Sequence, residues 1–327
     1  MFLRRPRTDH RPVSAEQSPR PRGASKPSRT RSRTPDDFAS RSQSLPRPQI
    51  ERGHASEPEP VADHEATYRG HASEPERAIP ERIRLHAVVN AMGLVELKLA
   101  NRDLRRVPDE LFSLTRLEML VLSSNRLQSL PRAICRLFRL KLLDVSHNDL
   151  RSIPDTLCNC TQLTELYLHR NRLASLPRQL ALLAQLRSLR LSGNAFESLP
   201  VEFGQLPVLR RLDLSDNSVW SLPDSFANLG HLRQLNLSDN AFTEFPLPVC
   251  SLRRLELLDL SRNKLRNIPD ELERDKALQE LNLSSNLLDA FPGVISNIRG
   301  LTALDLSENS LPGVSMRLAK LTRLKVN

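Results

Sequence analysis

Aromatic side chains are scarce, 4% of the 327 residues, with one tryptophan and two tyrosines. A groove that stacks successive bases of a single-stranded nucleic acid needs more of them. Glycine is thin as well, 10 residues, and none stands in a phosphate-cradling loop pattern. Four cysteines are too few for a disulfide scaffold, and Cys158-x-Cys160 has no second pair to complete a zinc site. Their number points to a reducing compartment. No apolar run approaches the length of a membrane span, and Met1-Phe2-Leu3 is too brief for a signal-peptide core.

Residues 1–78 are nearly free of Leu, Ile and Val and rich in Arg, Ser and Pro. Such a segment cannot offset the entropy of ordering, so it is expected to be a disordered tail. Its first 50 residues carry 12 basic and 4 acidic side chains, net +8 of the chain's +10. Arg4-Arg5-Pro6-Arg7 and the stretch from Lys26 to Arg33 are compatible with nuclear import or an anionic surface, and equally with a merely solvated tail. Pro6, Pro12, Pro19 and Pro21 would break the helix of a mitochondrial presequence. Arg52-Gly-His-Ala-Ser-Glu-Pro-Glu59 recurs as Arg69-Gly-His-Ala-Ser-Glu-Pro-Glu76. The spacing of His54 and His71 matches no ligand pattern, so this is a solvated linker rather than a metal site. Arg41-Ser42-Gln43-Ser44-Leu45-Pro46 resembles the phosphoserine motif bound by 14-3-3 proteins, with Ser44 as the candidate phosphosite and an unmodified linker as the alternative.

What the remainder has in abundance is register. Asparagine recurs as Asn125, Asn148, Asn171, Asn194, Asn217, Asn240, Asn263, Asn286 and Asn309, nine times at a spacing of 23. Leucine keeps the same period eleven times from Leu94 to Leu324, and proline nine times from Pro108 to Pro292. Unrelated core segments never hold such a period; a stack of equal coils does. Within the coil from Leu117 to Arg139, Leu120-Val121-Leu122 alternates as a short strand with both leucines facing inward. Asn125 stands where the chain turns off the strand, placed to bond backbone groups of adjacent coils. The whole asparagine column is therefore expected to be structural. Leu127 and Leu130 fill the next corner, Pro131 opens a helical or 3₁₀ turn, and Ile134 and Leu137 cover the back.

This pattern resembles the leucine-rich repeat family, with ten repeats beginning at Leu94, Leu117, Leu140, Leu163, Leu186, Leu209, Leu232, Leu255, Leu278 and Leu301. The resemblance implies an α/β solenoid: a curved arc with about ten short parallel strands on the concave side and helical or 3₁₀ turns on the convex side. Residues 79–93 are expected to form an amphipathic capping helix with Ile83, Val88 and Met92 inward, and 94–327 the repeats with a C-terminal cap. Arg102 replaces the first asparagine and Val314-Ser315 the last Leu-Pro, as terminal coils allow. Asp275 falls in a core slot, so a distorted turn with Ala277 filling in is expected there. Cys135, Cys158 and Cys250 share one convex position with Ala181, Gly204, Ala227 and Ser296, a cramped slot for small side chains.

Eight serines in register, from Ser123 to Ser307, are lattice residues rather than nucleophiles. Ser146 with His169, or His147 with Asp144, makes only a fragment of a catalytic set. No enzyme activity and no cofactor are expected. Outward strand positions vary within the strict repeat, so specificity is expected there: Met119, Val121, Leu142, Glu165, Tyr167, His169, Arg190, Arg211, Asp213, Gln234, Asn236, Leu257 and Asp259. Mixed charge along that face argues against nucleic acid. Trp220 suits either a side anchor or a ring bracing its turn. Leu-Pro at each corner and the lack of cysteine-rich caps resemble the intracellular Ras-group repeat proteins, including the Ras–MAP-kinase scaffold. That likeness implies a cytoplasmic scaffold, or by its basic clusters a nuclear one, holding a small GTPase or a phosphatase subunit. The tail lacks that scaffold's basic–aliphatic–x–aromatic docking motif, which leaves the partner open. The competing reading is a structural or cytoskeletal adaptor acting through the basic tail.

Overall fold

The computed structural model describes residues 87–274, 277–313 and 315–325. The tail with Ser44, His54 and His71, and the irregular Asp275 and Val314, lie outside the described residues. Eleven strands form one sheet in chain order: β1 Val88–Val89, β2 Val95–Lys98, β3 Met119–Val121, β4 Leu142–Asp144, β5 Glu165–Tyr167, β6 Ser188–Arg190, β7 Arg211–Asp213, β8 Gln234–Asn236, β9 Leu257–Asp259, β10 Glu280–Asn282 and β11 Ala303–Asp305. From β2 onward every pairing is parallel and shifted by one repeat, Leu120 on Leu143 and Leu143 on Leu166. Each strand therefore presents the same repeat positions to its neighbour, and each column across the sheet is one repeat position.

Inward positions make a continuous apolar ladder. Leu120, Leu122, Leu127, Ile134 and Leu137 are fully buried, as are their described counterparts through the coil that begins at Leu278, while Leu304 and Leu306 of the last coil are partly buried. Each fully buried side chain contributes about 1.5–3 kcal/mol by leaving water. Proline fixes the far corner: Pro131 is extended, at φ −70° and ψ 150°, and its carbonyl accepts from Ile134 N at 3.1 Å to start the 3₁₀ turn Arg132–Arg136. The same five-residue turn recurs on the convex side to Met316–Lys320, where Ser315 takes the proline's place and its hydroxyl accepts from Arg317 N at 3.2 Å. Arg317, Lys320, Arg323 and Lys325 are exposed on that last turn.

The asparagine column ties coil to coil. Asn171 Nδ2 donates to Val145 O of the preceding coil and to Leu168 O of its own, both at 3.0 Å, while its Oδ1 accepts from Leu150 N at 3.0 Å. Asn148 bonds Leu122 O, Val145 O and Leu127 N in the same way, at 2.9–3.0 Å. Asn240 donates to Leu214 O and Leu237 O, and Asn263 to Leu237 O and Leu260 O, at 3.0–3.1 Å. Asn286 reaches Leu260 O and Leu283 O, and Asn309 reaches Leu283 O and Leu306 O, at 2.9–3.0 Å. Each carbonyl between two coils thus serves two asparagines in turn. The Oδ1 atoms of Asn240, Asn263, Asn286 and Asn309 accept from Val219 N, Phe242 N, Leu265 N and Leu288 N.

The residue before each asparagine is left-handed: Ser124, His147, Arg170, Asp216, Asp239, Arg262, Ser285 and Glu308 all lie at φ 52–56°, and Gly193 at 63°. That conformation costs an ordinary residue about 1–2 kcal/mol, and the asparagine bonds hold it in place. At the first coil, Arg102 N and Leu104 N both reach Asn125 Oδ1 at 3.0 Å, so the second coil's asparagine serves the first.

The expected capping helix is not what residues 87–93 form; residues 79–86 lie outside the described residues. Val88 and Val89 pair antiparallel with β2 across a turn closed by Gly93 N donating to Asn90 O at 2.9 Å. Asn90 Oδ1 accepts from Met92 N and Leu94 N, and Gly93 takes φ 74°. Val88, Val89 and Met92 stand 56%, 70% and 71% exposed, so Val88 and Met92 do not face the core. Asn90 and Gly93 supply turn chemistry that outweighs the helical spacing of the apolar residues.

Candidate functional site: the concave face

Tyr167, on β5, sits at the centre of the outward face between Asp144 and Arg190 in register. The guanidinium carbon of Arg190 lies 5.0 Å from the Tyr167 ring centroid, a cation–π contact. The Tyr167 hydroxyl donates to Glu165 Oε2. Burial, and then that bond, push the phenol up to about 12, so it stays protonated as a donor. His169 meets the Tyr167 ring edge-on at 6.5 Å and the His147 ring at 5.3 Å. Its Nδ1 is buried with no hydrogen-bond partner among the described residues. Burial lowers its pKa, with Asp144 pulling the other way, so the ring is held neutral further into acid than a free imidazole. Glu165, Tyr167, His169, His147 and Arg190 thus form one cluster on adjacent coils.

Several other outward residues are engaged within their own strand exits. Asp144 Oδ1 accepts from Ser146 Oγ at 2.6 Å, Asp213 from Ser215 at 2.7 Å and Asp259 from Ser261 at 2.6 Å. Asn236 Oδ1 accepts from Ser238 N at 2.9 Å. The in-register serines hook the turn, and Ser146 is committed to Asp144 rather than to His169. The recurrent Asp-x-Ser spacing in the sequence carried that signal. Met119, Val121, Leu142 and Leu257 are half-buried, while Arg190, Arg211 and Gln234 are exposed. Ser188 is covered between Glu165 and Arg211, which flank it in register. Trp220 is 62% exposed, which leaves the bracing reading without support.

The thiols differ sharply. Cys158 and Cys160 are fully buried, and burial pushes them up to about 11 and about 12; Cys135 is half-exposed. A thiol reagent at neutral pH is expected to label Cys135 first, with Cys158 and Cys160 slower by about a hundredfold or more. Mass-spectrometric mapping against time checks this; equal rates at the three would contradict the packing described.

Among the described residues no group of histidine, cysteine and carboxylate side chains could hold a metal ion, and no helix is long and apolar enough to cross a membrane. The leucine-rich repeat family matches residues 93–150, 138–196, 184–242 and 253–311. A leucine-rich repeat protein of Leptospira interrogans is 30% identical over 70% of this chain and 70% of its own, with a TM-score of 0.54. The repeat ectodomain of the plant membrane receptor kinase GASSHO1/SCHENGEN3 from Arabidopsis thaliana, solved with Casparian strip integrity factor 2, is 37% identical with a TM-score of 0.60. That match covers 67% of this chain but only 28% of the receptor. PEPR1, solved as PEPR1-AtPEP1, is 25% identical over 74% of this chain and 39% of its own, with a TM-score of 0.59. No curated protein matches the chain. With the family matched over well over half its length and the coil geometry in place, the chain belongs to the leucine-rich repeat family.

Proposed function

We propose that this protein is a non-catalytic interaction scaffold that holds a protein partner on its concave face. The observation that carries this reading is the cluster of Glu165, Tyr167, His169 and Arg190. The repeat lattice requires none of these residue types, yet the register places them side by side with Arg211 one strand on. The plant receptor kinase ectodomain above was solved in complex with Casparian strip integrity factor 2, which agrees with a partner-binding use of such surfaces. The likeness to Ras-group repeats makes a small GTPase or a phosphatase subunit the class of partner to examine first, in the cytoplasm or nucleus. The motif at Ser44 offers a second contact, to 14-3-3, from the tail.

Aromatic and arginine side chains dominate interfaces when desolvated, and truncating a central one costs about 2 kcal/mol or more. Tyr167→Ala with Arg190→Ala in the full chain is expected to abolish recovery of the partner by affinity purification, with the thermal midpoint nearly unchanged. Undiminished recovery would place the binding surface elsewhere.

A further inference from the structure

Four arginines stand together on the fifth and sixth repeats: Arg187 and Arg210 at the second repeat position, Arg190 on β6 and Arg211 on β7. All four are exposed. Elsewhere in the same columns the charges are matched, Lys141 with Glu118 at 2.6 Å and Arg233 with Glu256 at 2.7 Å. Among the described residues no carboxylate comes within ion-pair distance of these four. The nearby acids are held by other donors. Glu165 accepts from the Tyr167 hydroxyl, and Asp213 from Ser192 Oγ at 3.0 Å and Ser215 Oγ at 2.7 Å. Arg190 is braced on the Tyr167 ring, which fixes its fork at little entropic cost.

The patch is also bounded. Towards the C-terminus Asp239, Asp259, Glu280 and Asp305 oppose a polyanion continuing along the sheet. Towards the N-terminus the apolar Met119, Val121 and Leu142 are partly exposed. Leu142 and Arg211 share a column three strand steps apart, about 14 Å, which an extended peptide spans in about four residues.

We propose that this face seats an extended acidic segment of a partner protein. Its carboxylates engage Arg187, Arg190, Arg210 and Arg211, and an aliphatic side chain about four residues away rests on Met119, Val121 and Leu142. This rests on the concave-face reading above and adds the chemistry of the ligand. Long nucleic acid does not fit, because the acidic coils interrupt its path and the Tyr167 ring is already covered by Arg190.

The test is fluorescence anisotropy on the full chain. The probe is a labelled peptide carrying a leucine pair, a short glycine-serine spacer and a run of glutamates. It is expected to bind with an affinity that falls as salt rises, and to weaken about tenfold or more in Arg187→Glu with Arg211→Glu. Lys264→Glu, outside these columns, should change it by less than about twofold. If the charge-reversed protein fails to fold by circular dichroism, Arg187→Gln with Arg211→Gln is read instead, with a smaller loss expected. Equal binding of a peptide with lysines for glutamates overturns the proposal, as does insensitivity to both arginine pairs. Tighter binding of a single-stranded oligonucleotide or of phosphatidylserine vesicles also overturns it, by assigning the patch to another class of ligand. Tighter binding of a peptide of residues 51–81 would assign it to this chain's own segment, again against a partner in trans. Should the glutamate peptide fail while partner recovery still requires Tyr167 and Arg190, only the acidic chemistry falls and the concave-face reading stands.

Discussion

Asn194→Ala is expected to lower the free energy of unfolding by about 1–3 kcal/mol. Asn194 Nδ2 donates to Leu168 O at 3.1 Å and Leu191 O at 2.8 Å, and its Oδ1 accepts from Leu173 N at 3.0 Å. The two carbonyls keep a second donor after the change, because Asn171 Nδ2 also reaches Leu168 O and Asn217 Nδ2 also reaches Leu191 O, at 3.0 and 3.1 Å. Leu173 N keeps none of comparable geometry, whereas Gly193 N still donates to Ser215 O at 3.0 Å. The orphaned amide therefore sets most of the cost. Asn194→Asp is expected to be at least as damaging, since it sets a carboxylate against two carbonyls. Urea unfolding followed by circular dichroism measures both, and a midpoint and slope equal to the parent's would show the column to be dispensable at this coil. A lowered slope would show the stack dividing at Asn194, as a chain of nearest-neighbour coils permits.

The periodic part of this architecture was legible because each coil meets only its neighbours. One side chain at one position solves one packing problem, and the same problem recurs every 23 residues. The leucine ladder, the turn-opening proline and the asparagine bonds all follow from that. The end was not legible, since β1 has no preceding coil to copy. There Asn90 and Gly93 decided the conformation locally, and a helical spacing of apolar residues misled. The left-handed column was hidden for a different reason. Only Gly193 among its nine members after the first coil is a glycine; elsewhere the side-chain amide one residue later holds the turn, so the usual marker is missing. On the concave face the outward positions could be named from alternation alone. Which of them are spent on strand-exit serines was marked only by the Asp-x-Ser spacing, and the structure shows Asp144, Asp213 and Asp259 accepting those hydroxyls.

Gly204→Ala is expected to cost about 1–3 kcal/mol, at the upper end for a single methyl group. Most counterparts of Gly204 in other coils are alanine, cysteine or serine, so a methyl group would look harmless there. The fifth convex turn is different. A Cβ built on Gly204 would lie 1.9 Å from Ser225 O and 2.4 Å from its carbonyl carbon, both backbone atoms of the next coil. The two turns approach so closely because Phe203 and Phe226 stack at 6.1 Å with their planes 4° apart, and because Ser225 Oγ donates across the gap to Val201 O. A flexible side chain could rotate away from the new methyl; a carbonyl cannot. Relief requires moving one whole turn, which opens the phenylalanine stack and forfeits dispersion contacts that the interior cannot replace. Ala181→Cys, one coil earlier, supplies the contrast, with a change of about 1 kcal/mol or less expected, since Cys135, Cys158 and Cys250 already occupy that slot. Urea midpoints at equal slope decide the matter. If Gly204→Ala unfolds with the parent while its far-ultraviolet spectrum is unaltered, the two turns are not in the close contact described, and the glycine is there for no packing reason.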